Sequence, residues 1–324
     1  MGRIAGACKA SVMSSAETSA LLVQRVPPQL FFVVSAVFHY LGPACAVLLF
    51  AAVEPLGVAW LRIATAALVF ALWRRPWRLW RRSGPAERRR LLALGLVLAA
   101  MNGCFYLAIA RLPLATVGAI EFLGPIGLAL AGLRSRRNLV ALSLAVAGVA
   151  MLTQIRLEGD GLGYALAFAN CALFVAYVVL GHRIAGGGGI DGLAAAMSIA
   201  LLAISPAGLN PALPALTDPV LLLAGIGVGI ASSVIPYACD LLAMARLPRA
   251  SFALMLALLP ATAAAIGILV LGQIPSTRET AGIGLVMAGV ALHRARQNRD
   301  RGKPRGSPLP HHRTYGSVSG GSAD

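Results

Sequence analysis

The sequence predicts an all-α polytopic membrane protein: ten transmembrane helices, built as two inverted five-helix repeats, with both termini in the cytoplasm. Three observations predict it. The chain is 58% hydrophobic and only 12% charged, roughly half the charge of an ordinary soluble domain. A phrase recurs 135 residues apart, where Leu107-Ala108-Ile109-Ala110-Arg111-Leu112-Pro113 returns as Leu242-Ala243-Met244-Ala245-Arg246-Leu247-Pro248. The Lys and Arg residues are unevenly shared between loops.

The apolar runs come first. They do not alternate with period two, and they exceed the roughly ten residues of an outer-membrane strand. A helix satisfies its own backbone in lipid, so the abundant Gly and Pro do not argue against helices. At about 20 apolar residues per crossing, spans are expected near 29–50, 55–73, 91–110, 113–132, 138–155, 162–181, 192–209, 220–243, 250–272 and 279–293. Residues 1–27 read as a cytoplasmic tail without the apolar core and cleavage pattern of a secretion signal. Residues 28–156 form the first repeat and 157–293 the second. Residues 294–324 are basic, then rich in Gly, Ser and His, a composition that builds no core and predicts disorder.

Orientation follows from the cations. With the N-terminus inside, 24 of the 28 Lys and Arg residues fall in cytoplasmic segments, three fall outside, and Arg62 lies within a span. The positive-inside rule therefore favours N-in and C-in. An odd number of spans per half turns the second copy upside down. The loops agree: eight arginines stand between spans 2 and 3, whereas the equivalent loop of the second half has no Lys or Arg and carries Asp218. The net charge of +16 is thus topology and does not indicate nucleic acid.

Few residues carry chemistry. Arg62 lies about eight residues into span 2, and Glu121 is about as deep in span 4 from the same side. An unpaired Arg at the bilayer centre costs about 2.5–3.5 kcal/mol. Arg62 therefore snorkels outward, pairs with a carboxylate or faces a wet cavity. Glu121 is either a fixed bridge to Arg62 or a site for a cationic group or a proton. Asp240, near the inner end of span 8, is read as interfacial, with a proton-linked role as the alternative. The uncharged candidates are His39, Asn102, Tyr106, Asn170, Tyr177 and Tyr237. Buried amides and phenols can bind a polar substrate, but more often tie helices together.

Enzymatic readings find no support. The chain has no Gly-x-Ser-x-Gly, His-Glu-x-x-His or Gly-Lys-Ser/Thr motif. No Cys-x-x-Cys pair suggests a metal. No cofactor is expected. The expected partners are a small-molecule substrate, the lipid bilayer and protons, with a homodimer left open. A membrane-embedded enzyme and a non-transporting receptor or scaffold remain as rival classes.

The residues also resemble a family. Leu61-Arg62 in span 2, Glu121-Phe122-x-Gly124-Pro125 in span 4, and Pro236-Tyr237 followed by Arg246-Leu247-Pro248 are similar to the ten-helix, EamA-type branch of the drug/metabolite transporter superfamily. More narrowly they resemble the threonine/homoserine exporter group, over about residues 28–292. The resemblance implies a secondary transporter of the inner membrane that exports a small polar metabolite, such as an amino acid, by alternating access. The chain departs from the group in three places. Leu259 precedes Pro260 where an acid is frequent, Leu271-Gly272-Gln273 replaces Leu-Gly-Glu, and Asp240 stands where Glu is common.

Overall fold

The repeated phrase folds the same way twice. After the first copy's helix, backbone N–H groups of Ala110, Arg111 and Leu112 donate to the carbonyls of Tyr106, Ala108 and Ala108 at 3.1, 3.0 and 2.8 Å. In the second copy Ala245, Arg246 and Leu247 donate to Leu241, Ala243 and Ala243 at 2.9, 3.1 and 2.8 Å. The computed structural model describes residues 27–131, 136–152, 160–185, 189–247, 252, 259–274, 276–278, 280–285, 287–288 and 292. The tails, Arg134-Ser135, Arg156, the start of the 186–189 glycine run, Pro248, Arg249 and Leu256 lie outside these residues.

Among the described residues there are helices and no strands. We number them α1 (Pro28–Leu49), α2 (Pro55–Arg74), α3 (Pro76–Arg82), α4 (Pro85–Ile109), α5 (Leu114–Ala131), α6 (Arg136–Leu152), α7 (Gly161–Ala185), α8 (Gly189–Thr217), α9 (Pro219–Met244) and α10 (Leu259–Leu271). Residues 280–285 and 287–288 are also helical. Six of these, α1, α2, α4, α7, α8 and α9, are long and apolar enough to cross a membrane. The protein is an all-α, multi-pass membrane protein.

Local chemistry sets the helix starts. Proline opens α1, α2, α3, α4 and α9, where its missing N–H is one of the first-turn donors without an intrahelical partner. Asp218 caps α9 by accepting from the N–H of Val220 at 2.8 Å and Leu221 at 3.3 Å. Asp160 does the same for α7 through Gly163 at 3.1 Å, and its other oxygen accepts from Arg111 at 2.9 Å. The Arg111 hydrogen bond, aided by that N–H, holds the Asp160 carboxyl below the usual carboxylate range.

Two boundaries differ from the sequence reading. The segment between spans 2 and 3 is not a plain loop: it contains α3 and the first turns of α4. The seventh span does not stop near residue 209. It continues to Thr217 through Pro206, Pro211 and Pro214, since a long membrane helix can tolerate the amides that proline removes.

Helices from the two copies of the repeated sequence pack on each other. Helix α4 lies on α7 and α9 lies on α1; α4 touches α8 and α9 touches α2; α5 lies on α7 and α10 on α1; α2 and α8 pack together. The last contact is the most extensive. A Cβ added to Gly57 would come within 2.5 Å of the Pro211 carbonyl carbon and 2.8 Å of the Ala212 nitrogen. Only glycine lets these backbones meet, and Trp60 Nε1 ties the same pair by donating to Ser205 Oγ at 2.9 Å.

Gly57→Val should therefore lower the thermal unfolding midpoint of the detergent-solubilised protein, by the equivalent of about 1–3 kcal/mol. Gly127→Ala, at a helical position with open space around it, should leave that midpoint unchanged or raised.

Candidate functional site

Six helices send a side chain to one small cavity in the bundle. It is lined by His39 and Pro43 of α1, Arg62 of α2, Met101, Asn102 and Phe105 of α4, Glu121 of α5, Asn170 of α7 and Tyr237 of α9. Its volume is about 10 Å³, room for about one water. The cavity is narrow around its polar groups. A molecule much larger than water needs the helices to part before it can enter.

Arg62 is 4% exposed and is held by α9. The cause lies in the sequence Ser232-Ser233-Val234-Ile235-Pro236. Pro236 has no amide hydrogen to give to the carbonyl four residues earlier, Ser232. The helix widens into a π turn at Ile230–Val234, in which the Ile235 N–H reaches back to Ile230. Arg62 takes the Ser232 carbonyl, donating from Nη2 at 2.5 Å, and donates from Nε to Ser233 Oγ at 2.8 Å. Its guanidinium also lies 5.1 Å from the centre of the Tyr106 ring. Gly42 of α1 lets that helix approach the turn, since a Cβ there would stand 2.6 Å from Ser232 Cα.

Glu121 is 2% exposed and is held by α1 and α7. Oε2 accepts from the Tyr40 hydroxyl at 3.1 Å and lies 3.5 Å from His39 Nε2. Oε1 accepts from Asn170 Nδ2 at 2.9 Å. Gly118 makes room for this, because a Cβ there would stand 2.8 Å from the Tyr40 hydroxyl. Among the described residues, the ion pairs do not include Arg62 with Glu121. A cation and an anion thus line one cavity, each held by other groups. Two buried polar atoms beside them have no hydrogen-bond partner, Tyr106 Oη and Asn170 Oδ1.

Residues one repeat apart meet here. Asn102 Nδ2 donates to the Tyr237 hydroxyl at 3.1 Å across a separation of 135 residues. The rings of His39 and Phe174, also one repeat apart, lie 6.0 Å apart. Asn102 additionally donates to the Leu98 carbonyl at 2.7 Å.

Asp240 corrects the sequence reading. It is not interfacial: it is 2% exposed, because α9 continues past it to Met244 and is covered by α1 and α7. Its carboxylate accepts from Ser35 Oγ and, at 3.3 Å, from the Tyr177 hydroxyl. This cluster adjoins the cavity through the Tyr177 and Tyr237 rings, 5.5 Å apart. No cation pairs with Asp240 among the described residues.

Of the nine predicted site residues, the structure brings His39, Arg62, Asn102, Glu121, Asn170 and Tyr237 to the cavity wall. Tyr106 lies beneath Arg62, and Tyr177 with Asp240 forms the neighbouring cluster. Sequence reasoning missed Tyr40, Ser35, Ser232 and Ser233. Pro236 was the available signal for Ser232, through the amide it removes. Among the described residues no group of three or more His, Cys, Asp or Glu side chains could hold a metal.

Comparison with known proteins adds identity to this geometry. No family model matches the chain. A solved crystal structure matches with a TM-score of 0.61 at 19% identity, covering 84% of this chain and 98% of that one, which shows a shared fold. The threonine/homoserine exporter RhtA of Escherichia coli K12 is 33% identical over 250 residues, covering 76% of this chain and 84% of that protein. The protein of the same name from Salmonella typhimurium LT2 is 34% identical over 235 residues, covering 72% and 79%. With identity of that level over most of its length, this chain belongs to the family of these drug/metabolite transporter-type exporters.

Proposed function

We propose that the protein exports threonine, homoserine or a similar small polar amino acid across the inner membrane by alternating access. The observation that carries this reading is the cavity in which Arg62 and Glu121 are buried together without pairing with each other. A zwitterion is complementary to that arrangement. Its carboxylate takes the bidentate guanidinium, and its ammonium takes the Glu121 carboxylate. The unpartnered Tyr106 hydroxyl and Asn170 Oδ1 suit a hydroxyl or the remaining ammonium hydrogens. At about 10 Å³ the site is too small for an amino acid as it stands, and in this proposal rocking of two halves opens it to one side or the other.

The scaffold in this proposal is ten spans in two EamA-like inverted halves, with both termini inside. Support comes from the matched corners, from helix starts at Pro28, Pro55 and Pro85 that recur at Gly161, Gly189 and Pro219, and from helix contacts that exchange between halves. Pairs of equivalent residues that touch each other, such as Asn102 with Tyr237, are what a pseudo-two-fold axis through the site requires.

We place the coupling proton on Asp240. Its hydrogen-bond partners, Ser35 and Tyr177, are neutral, so a charge there is expensive and a proton removes it. Tyr237, Cys239 and His39 are the other titratable groups of α9 and α1 nearby. With no acid at Leu259 or Gln273, the buried acids among the described residues are Glu121 and Asp240, and the ammonium takes Glu121.

In proteoliposomes, Glu121→Gln keeps the shape and loses the charge. It should raise the KM for the amino acid at least ~10-fold, the scale of a charged hydrogen bond, while inhibition by the analogue lacking the amino group stays unchanged. Equal loss for both compounds would remove Glu121 from the ammonium site. Asp240→Asn should retain substrate exchange at equal pH on both sides and lose the acceleration by an inward proton gradient. Retained acceleration would place the proton elsewhere.

A further inference from the structure

The short helix α3 divides two depressions at the end of the bundle that carries the eight arginines. Its origin is local. Pro76 disfavours a helical conformation at the residue before it, and Arg75 turns left-handed, with φ 52° and ψ 63°. The chain therefore breaks from α2 and packs α3 against α8. Arg88 of α4 fixes it there, donating from Nε to the Trp80 carbonyl at 3.1 Å with its guanidinium 5.5 Å from the Trp80 ring centre. Arg74 Nε holds Asp191 at the start of α8 at 2.5 Å.

One side of α3 is basic. Arg75, Arg78 and Arg82 line a cleft of about 440 Å³ with Arg74 and Asp191. The other side is apolar. Trp77, Trp80, Leu92, Leu96 and Leu202 line a groove of about 730 Å³, with Arg81 as its charged residue. The groove opens outward: Trp77 is 50% exposed, Leu96 55% and Leu202 75%. Among the described residues Arg75, Arg78, Arg81 and Arg82 have no ion-pair partner. A long apolar groove beside several uncompensated guanidinium groups, with tryptophans at its mouth, has the chemistry of a lipid site at the membrane interface.

We propose that this groove binds one anionic phospholipid, with an acyl chain between α3, α4 and α8 and its phosphate at the groove's edge on Arg81, from where the headgroup reaches across α3 to Arg78 and Arg82 of the adjoining cleft. A free nucleotide or nucleic acid would satisfy the arginines but leave the groove empty. A zwitterionic lipid would fill the groove but bring its own cation to the arginines. The site is separate from the Arg62–Glu121 cavity, and the proposal stands independently of the transported substrate.

The test is thermal unfolding of the full chain in neutral detergent with added lipid. Phosphatidylglycerol should raise the midpoint by ~3 °C or more, the scale of ligand linkage for a chain of this size; phosphatidylcholine should raise it by less than ~1 °C. Arg81→Gln combined with Arg78→Gln and Arg82→Gln should abolish the phosphatidylglycerol shift without changing the lipid-free midpoint. Ala203→Trp, which fills the groove, should abolish it as well. Equal shifts with both lipids, a full shift in the arginine variant, or a shift of the same size with soluble glycerol phosphate would overturn the proposal.

Discussion

A guanidinium buried among apolar helices has to be hydrogen-bonded, and much of this structure is arranged around how Arg62 achieves that. The partner is not an acid. It is a backbone carbonyl that Pro236 has deprived of its helical donor, together with the Ser233 hydroxyl beside it. Because Arg62 is satisfied by backbone, Glu121 stays free of it and is held instead by Tyr40 and Asn170. The two charges line one cavity without cancelling. A direct salt bridge would have closed the site, since both groups would have to be pulled apart before binding anything.

The same device recurs around the cavity. Pro43 gives no amide hydrogen to the carbonyl of His39, and Pro125 gives none to that of Glu121. Each proline stands one turn after a residue that lines the cavity. Three helices are thus loosened at the level of the site, where the proposed alternating access would need them to bend. Helices α2 and α8 also pack closely through glycine contacts such as Gly57 against Pro211. Rigid approach away from the site and weakened helices at the site are what rocking requires.

Much of the fold was legible because a bilayer imposes simple rules on a chain. Apolar run length located the helices, and the 135-residue repeat predicted corners whose backbone hydrogen bonds are indeed the same. Arg62 and Glu121 stood out because charge inside an apolar run is costly. What was hidden depended on rotation and side-chain reach. Asp240 read as interfacial because its position along the span is near an end, yet the bundle covers it. Tyr40 and Ser233 are ordinary helix residues until Glu121 and Arg62 face them. The helix α3 was hidden by its arginines, which dominate the loop's composition, although Pro76 and two tryptophans marked it. The expected end of the seventh span near residue 209 came too early, because the helix runs on through Pro211 and Pro214 to Thr217.

The central claim is that Arg62 and Glu121 hold the two ends of one zwitterion. Calorimetric binding to the purified wild-type protein tests it most directly, using threonine, its carboxamide and its analogue lacking the amino group. Threonine should bind, and each analogue should bind at least ~10-fold more weakly, the scale of one charged hydrogen bond. If the carboxamide and the amine-free analogue bind as tightly as threonine, the two charges do not form the substrate site.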